Sequence, residues 1–156
     1  MTKIIRFNVK SGSSSNTEQI AYQIGQNLRG GEVIELSSDL GGGKTVFVKG
    51  LAQGAGSKED VTSPTFTISK IYTCPKFLIH HFDFFRLKDP GIVALELVEV
   101  LQDPKAVVVI EWASTVKNIL PSMRMDLVIE PGSKTNRLLK FSMPQALSYL
   151  IQGLTR

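Results

Sequence analysis

The stretch EVIELSSDLGGGKT, residues 32–45, decides the fold. Its first half is an apolar strand, and its second half is a glycine-rich turn that closes on Gly43-Lys44-Thr45. Glycine backbones can turn several N–H groups toward one anion, and the helix that follows offers its positive end to the same point. Lys44 can reach outer phosphates and Thr45 can place a hydroxyl on Mg²⁺, so the turn reads as a phosphate-binding loop. The usual pattern is G-x-x-x-x-G-K-[ST], and here Ser38 holds its first position. The plainer reading is a flexible strand-to-helix connection with Lys44 as a solvated charge.

Moving outward, the helix after the loop places Val48, Leu51, Ala52 and Ala55 on one face and stops near Gly54 and Gly56. Gly50 inside it costs roughly 1 kcal/mol relative to alanine, which signals either close packing or tolerance. Before the loop, residues 3–9 read as a strand. Ser15-Asn16-Thr17-Glu18 has capping-box spacing, and a helix from about 16 to 29 carries Ile20, Ile24 and Leu28 before Gly30-Gly31 ends it.

Beyond the loop helix come two β-rich stretches, about 66–73 and 77–85. Asp89-Pro90 then predicts an N-cap followed by proline in the first turn. The helix running to Asp103 buries Val93, Leu97 and Val100 and shows Glu96, Glu99 and Asp103 elsewhere. That acidic face can serve a partner, although a solvated face is the commonest explanation of such a pattern. Residues 106–111, AVVVIE, suit a strand buried on both faces. A short helix at about 113–120 closes at Pro121. Strands near 124–130 and 136–142 form a hairpin across Pro131-Gly132-Ser133, and Pro144 starts a final helix. Strands and helices alternating around such a loop predict an α/β fold, a P-loop NTPase-like mixed β-sheet with helices on both faces and a C-terminal β-hairpin.

Length and composition agree with one domain over 1–156. Cys74, the single cysteine, excludes an internal disulfide. No stretch has signal-peptide layout or transmembrane length, so a cytoplasmic address without membrane attachment is expected. The net charge of +4 is unevenly spread. Residues 1–111 balance 12 Lys+Arg against 12 Asp+Glu, whereas the rest holds Lys117, Arg124, Lys134, Arg137, Lys140 and Arg156 against Asp126 and Glu130. This surplus can contact nucleic acid or form a solvated face.

A phosphate loop needs a carboxylate at a nearby strand end. Asp83 ends FLIHHFD and Glu111 ends AVVVIE, where a charge is expensive unless it serves a cation or a hydrogen-bond network. Period-two alternation puts His81, Asp83 and Phe85 on one strand face, so His81 can pair with Asp83 and orient it. Ser63-Pro64-Thr65 offers two hydroxyls in a segment able to sense a terminal phosphate, or simply a turn. Trp112 is either a core filler or a stacking platform, and the apolar context favours the core. Adjacent histidines and one cysteine make no metal site by spacing.

Taken in order, LGGGKT, SPTF, HFDFFR and IEWA resemble the motifs of the TsaE (YjeE) family, small bacterial P-loop ATPases of the tRNA threonylcarbamoyladenosine modification system. The resemblance covers nearly the whole chain. It maps the nucleotide loop to Leu40, Gly41, Gly42, Gly43, Lys44 and Thr45, with Val46 next. It maps the switch-like segment to Ser63 through Phe66, the H-x-D-x-Y-R motif to His81, Asp83, Phe85 and Arg86, and the E-W pair to Glu111 and Trp112. It implies Mg²⁺-dependent ATP hydrolysis within an assembly with TsaB- and TsaD-like partners, the latter transferring threonylcarbamoyl to tRNA, with direct or indirect tRNA contact open. Lys44 would stabilise the β and γ phosphates and Thr45 would ligate Mg²⁺. Asp83 would support the metal through water and Glu111 would position or deprotonate the attacking water, or the two would exchange roles. Ser38, Val46, Phe85 and Ser114 depart from the family pattern, which bears on hydrolysis rate and partner coupling more than on nucleotide binding. A non-hydrolysing nucleotide sensor is the alternative.

Overall fold

The computed structural model describes residues 2–39, 41, 43–62, 68–85 and 87–155. Leu40, Gly42, Ser63, Thr65 and Arg86, together with the first two residues of the predicted strand 66–73, lie outside the described residues.

Among the described residues, seven strands make one mixed sheet in the order β1-β7-β6-β2-β5-β4-β3. They are β1 (Ile4–Ser11), β2 (Val33–Ser37), β3 (Ser69–Thr73), β4 (Leu78–Asp83), β5 (Val107–Glu111), β6 (Met125–Pro131) and β7 (Arg137–Pro144). The middle of the sheet is parallel: β2 pairs with both β5 and β6, and β5 with β4. Both outer parts are antiparallel, with β3 closing one edge and the predicted β6–β7 hairpin plus β1 closing the other.

β5 is buried at every position, as its unbroken apolar run requires. Its residues alternate between two cores. Val107 and Val109 face helices α1 (Ser14–Asn27) and α2 (Lys44–Gly54), while Val108 and Ile110 face α3 (Gly91–Leu101). Helices therefore cover both faces of the parallel centre. Leu97 anchors α3 and is fully buried, with Val93 and Val100 partly buried beside it.

The close approach of α1 to α2 explains Gly50. A methyl group there would stand 2.2 Å from the Glu18 carbonyl oxygen, and one at Gly25 would stand 2.2 Å from that of Leu51. Packing, not tolerance, keeps Gly50.

Three local expectations are corrected. The cap of α1 is Ser13, whose Oγ accepts from the Asn16 N–H at 3.0 Å, so the helix begins before Ser15–Glu18. Any serine of that polar run can cap, and the extended backbone of Ser13 as the chain leaves β1 selects it. Next, α3 starts at Gly91 with Pro90 in the cap position; the Asp89 carboxylate accepts from the Gly91 N–H at 3.1 Å, so it still serves the helix start. Finally, the helices predicted at 113–120 and after Pro144 are 3₁₀ turns, Ala113–Val116 and Gln145–Ile151. No helix among the described residues is long and apolar enough to cross a membrane.

Candidate active site

The site lies at the carboxyl ends of β2, β4 and β5, where open parallel sheets place their ligands. Gly41 and Gly43 have φ of 75° and 101°, yet a methyl group on either would meet nothing within 4 Å among the described residues. Glycine is needed there for left-handed backbone rather than for room. That turn sets Lys44 and Thr45 in the first turn of α2.

Lys44 is 8% exposed, and its Nζ donates to the Ser38 carbonyl at 3.2 Å. The ammonium sits 4.4 Å from the centre of the Trp112 ring. Burial pushes the Lys44 ammonium below the ordinary lysine range, against the pull of Glu111, Asp83 and Asp39. A desolvated cation held this way by its own loop is a strong partner for an anion that enters.

Asp83 and Glu111 are register partners at the ends of β4 and β5, and both are buried. The Asp83 carboxylate accepts from the Phe85 N–H at 2.9 Å. Burial raises the Asp83 carboxyl above the usual carboxylate range, opposed by that N–H, by His81 and by Lys44. His81 does not orient Asp83 in the way its strand face suggests. Its Nε2 donates to Glu111 Oε2 at 2.7 Å, because β5 lies beside β4 and brings Glu111 within reach. His81 Nδ1 is buried with no hydrogen-bond partner among the described residues.

Trp112 packs against the core on the α3 side but is not enclosed by it. It is half-buried, packs against Phe85 with ring centres 4.9 Å apart, and takes left-handed backbone at φ 56°. For a bulky residue that conformation costs roughly 1–2 kcal/mol, and here it turns the ring over Lys44. The ring walls a cavity of about 290 Å³ bounded also by Glu35, Ser37, Ser38 and Lys44.

Two groupings were not foreseen from the sequence. Glu35, buried in β2, is held by Lys117 Nζ at 3.0 Å and Arg124 Nε at 3.2 Å. Its position in an apolar strand was the available signal, since such a charge needs partners. On the other flank of the loop, Gly41, Gly43 and Val46 share a cavity of about 170 Å³ with Thr17, Lys134 and Arg137. The C-terminal basic surplus is thus largely placed: Lys117 and Arg124 on Glu35, Lys140 on Glu130, and Lys134 and Arg137 beside the loop.

Comparison with known proteins fits this arrangement. The family model "Threonylcarbamoyl adenosine biosynthesis protein TsaE" matches residues 11–139. The chain belongs to the TsaE family. A Bacillus subtilis tRNA threonylcarbamoyladenosine biosynthesis protein TsaE is 36% identical over 126 residues, covering 81% of this chain and 78% of that protein. Its Rickettsia prowazekii counterpart is 33% identical over 126 residues, covering 78% and 86%. The crystal structure of Bacillus subtilis YdiB superposes with a TM-score of 0.76 at 26% identity, covering 96% of this chain and 94% of that one. TsaE membership thus agrees with the ordered motifs, and the α/β fold with its mixed seven-stranded sheet is structurally similar to YdiB.

Proposed function

We infer that this TsaE-family chain hydrolyses ATP to support threonylcarbamoyl transfer to tRNA by TsaB- and TsaD-like partners, in the cytoplasm. The observation that carries the reading is the convergence of Lys44 with the register-paired carboxylates Asp83 and Glu111 at the end of a left-handed glycine turn.

The residues fit a hard cation. Thr45 offers a hydroxyl and Asp83 and Glu111 offer buried carboxylates, the oxygen donors that Mg²⁺ takes alongside phosphate and water. Among the described residues no group of three or more His, Cys, Asp and Glu forms a cage, and this ion seldom uses one. When bound, Mg²⁺ would neutralise charge on the β and γ phosphates.

The chain's own residues do the remainder. Lys44 leaves the Ser38 carbonyl for the β and γ oxygens and stabilises charge as it develops. Glu111, held by His81, orients the attacking water and draws off its proton, while Asp83 would be the carboxylate that holds the metal when it is bound. The flanking cavity at Val46, Lys134 and Arg137 takes the nucleoside end.

The test is hydrolysis of ATP and GTP with Mg²⁺, alone and with the TsaB- and TsaD-like proteins, with Lys44→Ala as control. ATP-selective turnover that rises with the partners, and falls by about 100-fold or more in the control together with nucleotide affinity, supports the reading. Nucleotide binding without turnover under every condition would replace it with the sensor.

A further inference from the structure

The outward face of α3 is the exposed feature that the nucleotide corner leaves unused. Ile92, Leu95, Glu96, Glu99 and Asp103 follow one another at helical spacing. Ile92 is 82% exposed and Leu95 is 69% exposed, an unusual cost for two large apolar side chains on one strip. The strip continues onto the sheet margin. Ser69 Oγ on β3 lies 3.5 Å from Glu96 Oε1. Ile71 on β3 is the register partner of His80 on β4, and Ile71 and Leu78 are both exposed. Strand alternation puts Ile71, Leu78 and His80 on the α3 side of the sheet, where α3 stops covering it. Glu96, Glu99 and Asp103 have no salt bridge among the described residues.

We propose that this margin, the outer face of α3 with Ile71 and Leu78, is a docking surface for a protein whose matching face is apolar at its centre and rimmed by lysine or arginine. Charge complementarity selects that occupant: three exposed carboxylates without a salt bridge among the described residues edge the apolar strip, and exposed apolar centres with polar rims are the anatomy of protein interfaces. Docking there also reaches the site. α3 follows directly on the segment that leaves Asp83, and the Asp83 N–H donates to the Ile68 carbonyl at 2.7 Å, just ahead of β3. A partner that grips α3 and β3 together therefore holds both neighbours of that carboxylate. The proposal rests on the reading of the chain as a partner-coupled ATPase.

The experiment measures association of the full chain with the TsaB- and TsaD-like proteins, together with nucleotide binding and basal hydrolysis. The variants are Ile92→Ser/Leu95→Ser, Glu96→Lys/Glu99→Lys, and Val128→Ser as an exposed control on β6. Both double variants should weaken association at least tenfold and abolish stimulation, with melting temperature, nucleotide affinity and basal turnover unchanged, while the control behaves as wild type. Association of the wild type should weaken as salt rises, and less so for Glu96→Lys/Glu99→Lys. Unchanged association in both double variants overturns the docking surface and leaves the partner-coupled reading intact. Failure of the wild type to associate overturns both. Concentration-dependent dimerisation that either double variant abolishes would assign the face to a second copy and equally overturn the proposal.

Discussion

His81 Nε2 and Glu111 Oε2 are 2.7 Å apart in a fully enclosed corner, joined across neighbouring parallel strands. The imidazole fixes one carboxylate oxygen of Glu111. Because both groups are removed from water, the pair is worth most when intact and costs most when halved.

Replacing His81 by alanine should therefore leave a buried carboxylate without its donor and destabilise the chain by about 3 kcal/mol. Urea unfolding measures this. Glu111→Gln, which keeps an amide near His81, should cost less stability while lowering hydrolysis by about 10²-fold or more. Equal stability losses in the two variants would argue against the pair as the source of the effect.

Gly50→Ala tests the helix contact. The substitution gains roughly 1 kcal/mol of helix propensity in isolation. Here the new methyl would stand 2.2 Å from the Glu18 carbonyl oxygen and 2.9 Å from Ala21 Cβ, which forces α1 and α2 apart. Overpacking of this kind costs roughly 1–3 kcal/mol or more, so the net effect should be destabilising, read as a lower melting temperature.

Asp83 makes a prediction about pH. Burial raises its carboxyl in the folded state, so the folded chain binds the proton more tightly than the unfolded chain. Its contribution is fully present below the ordinary carboxylate range and is lost as pH rises through the folded value. At neutral pH the ionised, buried group is a cost. Asp83→Asn keeps an oxygen for the Phe85 N–H, and should raise stability at neutral pH and flatten the profile across the carboxylate range. Hydrolysis should fall in the same variant. Denaturant midpoints from pH 3 to 8 (about five points) would check the sign, and a steeper profile in the variant would contradict it.

The parts legible from sequence were those set by neighbours along the chain. Glycines at 41 and 43 before a lysine permit a left-handed turn into a helix without steric cost, because that permission is local to the residue. The apolar run at 107–110 announces burial on both faces, and the turn at 131–133 announces a hairpin, for equally local reasons. Tertiary structure alone decided which strands are neighbours. Alternation tells which face His81 occupies but not that β5 lies alongside, so its pairing with Glu111 instead of Asp83 was invisible until β4 and β5 were placed side by side. The same holds for Trp112, whose residue type suits a core, and for Lys134 and Arg137, which reach the loop through long-range folding. Backbone preference acts within a few residues and can be read in order. Contacts between distant segments depend on how the sheet is assembled, and that is a property of the folded chain.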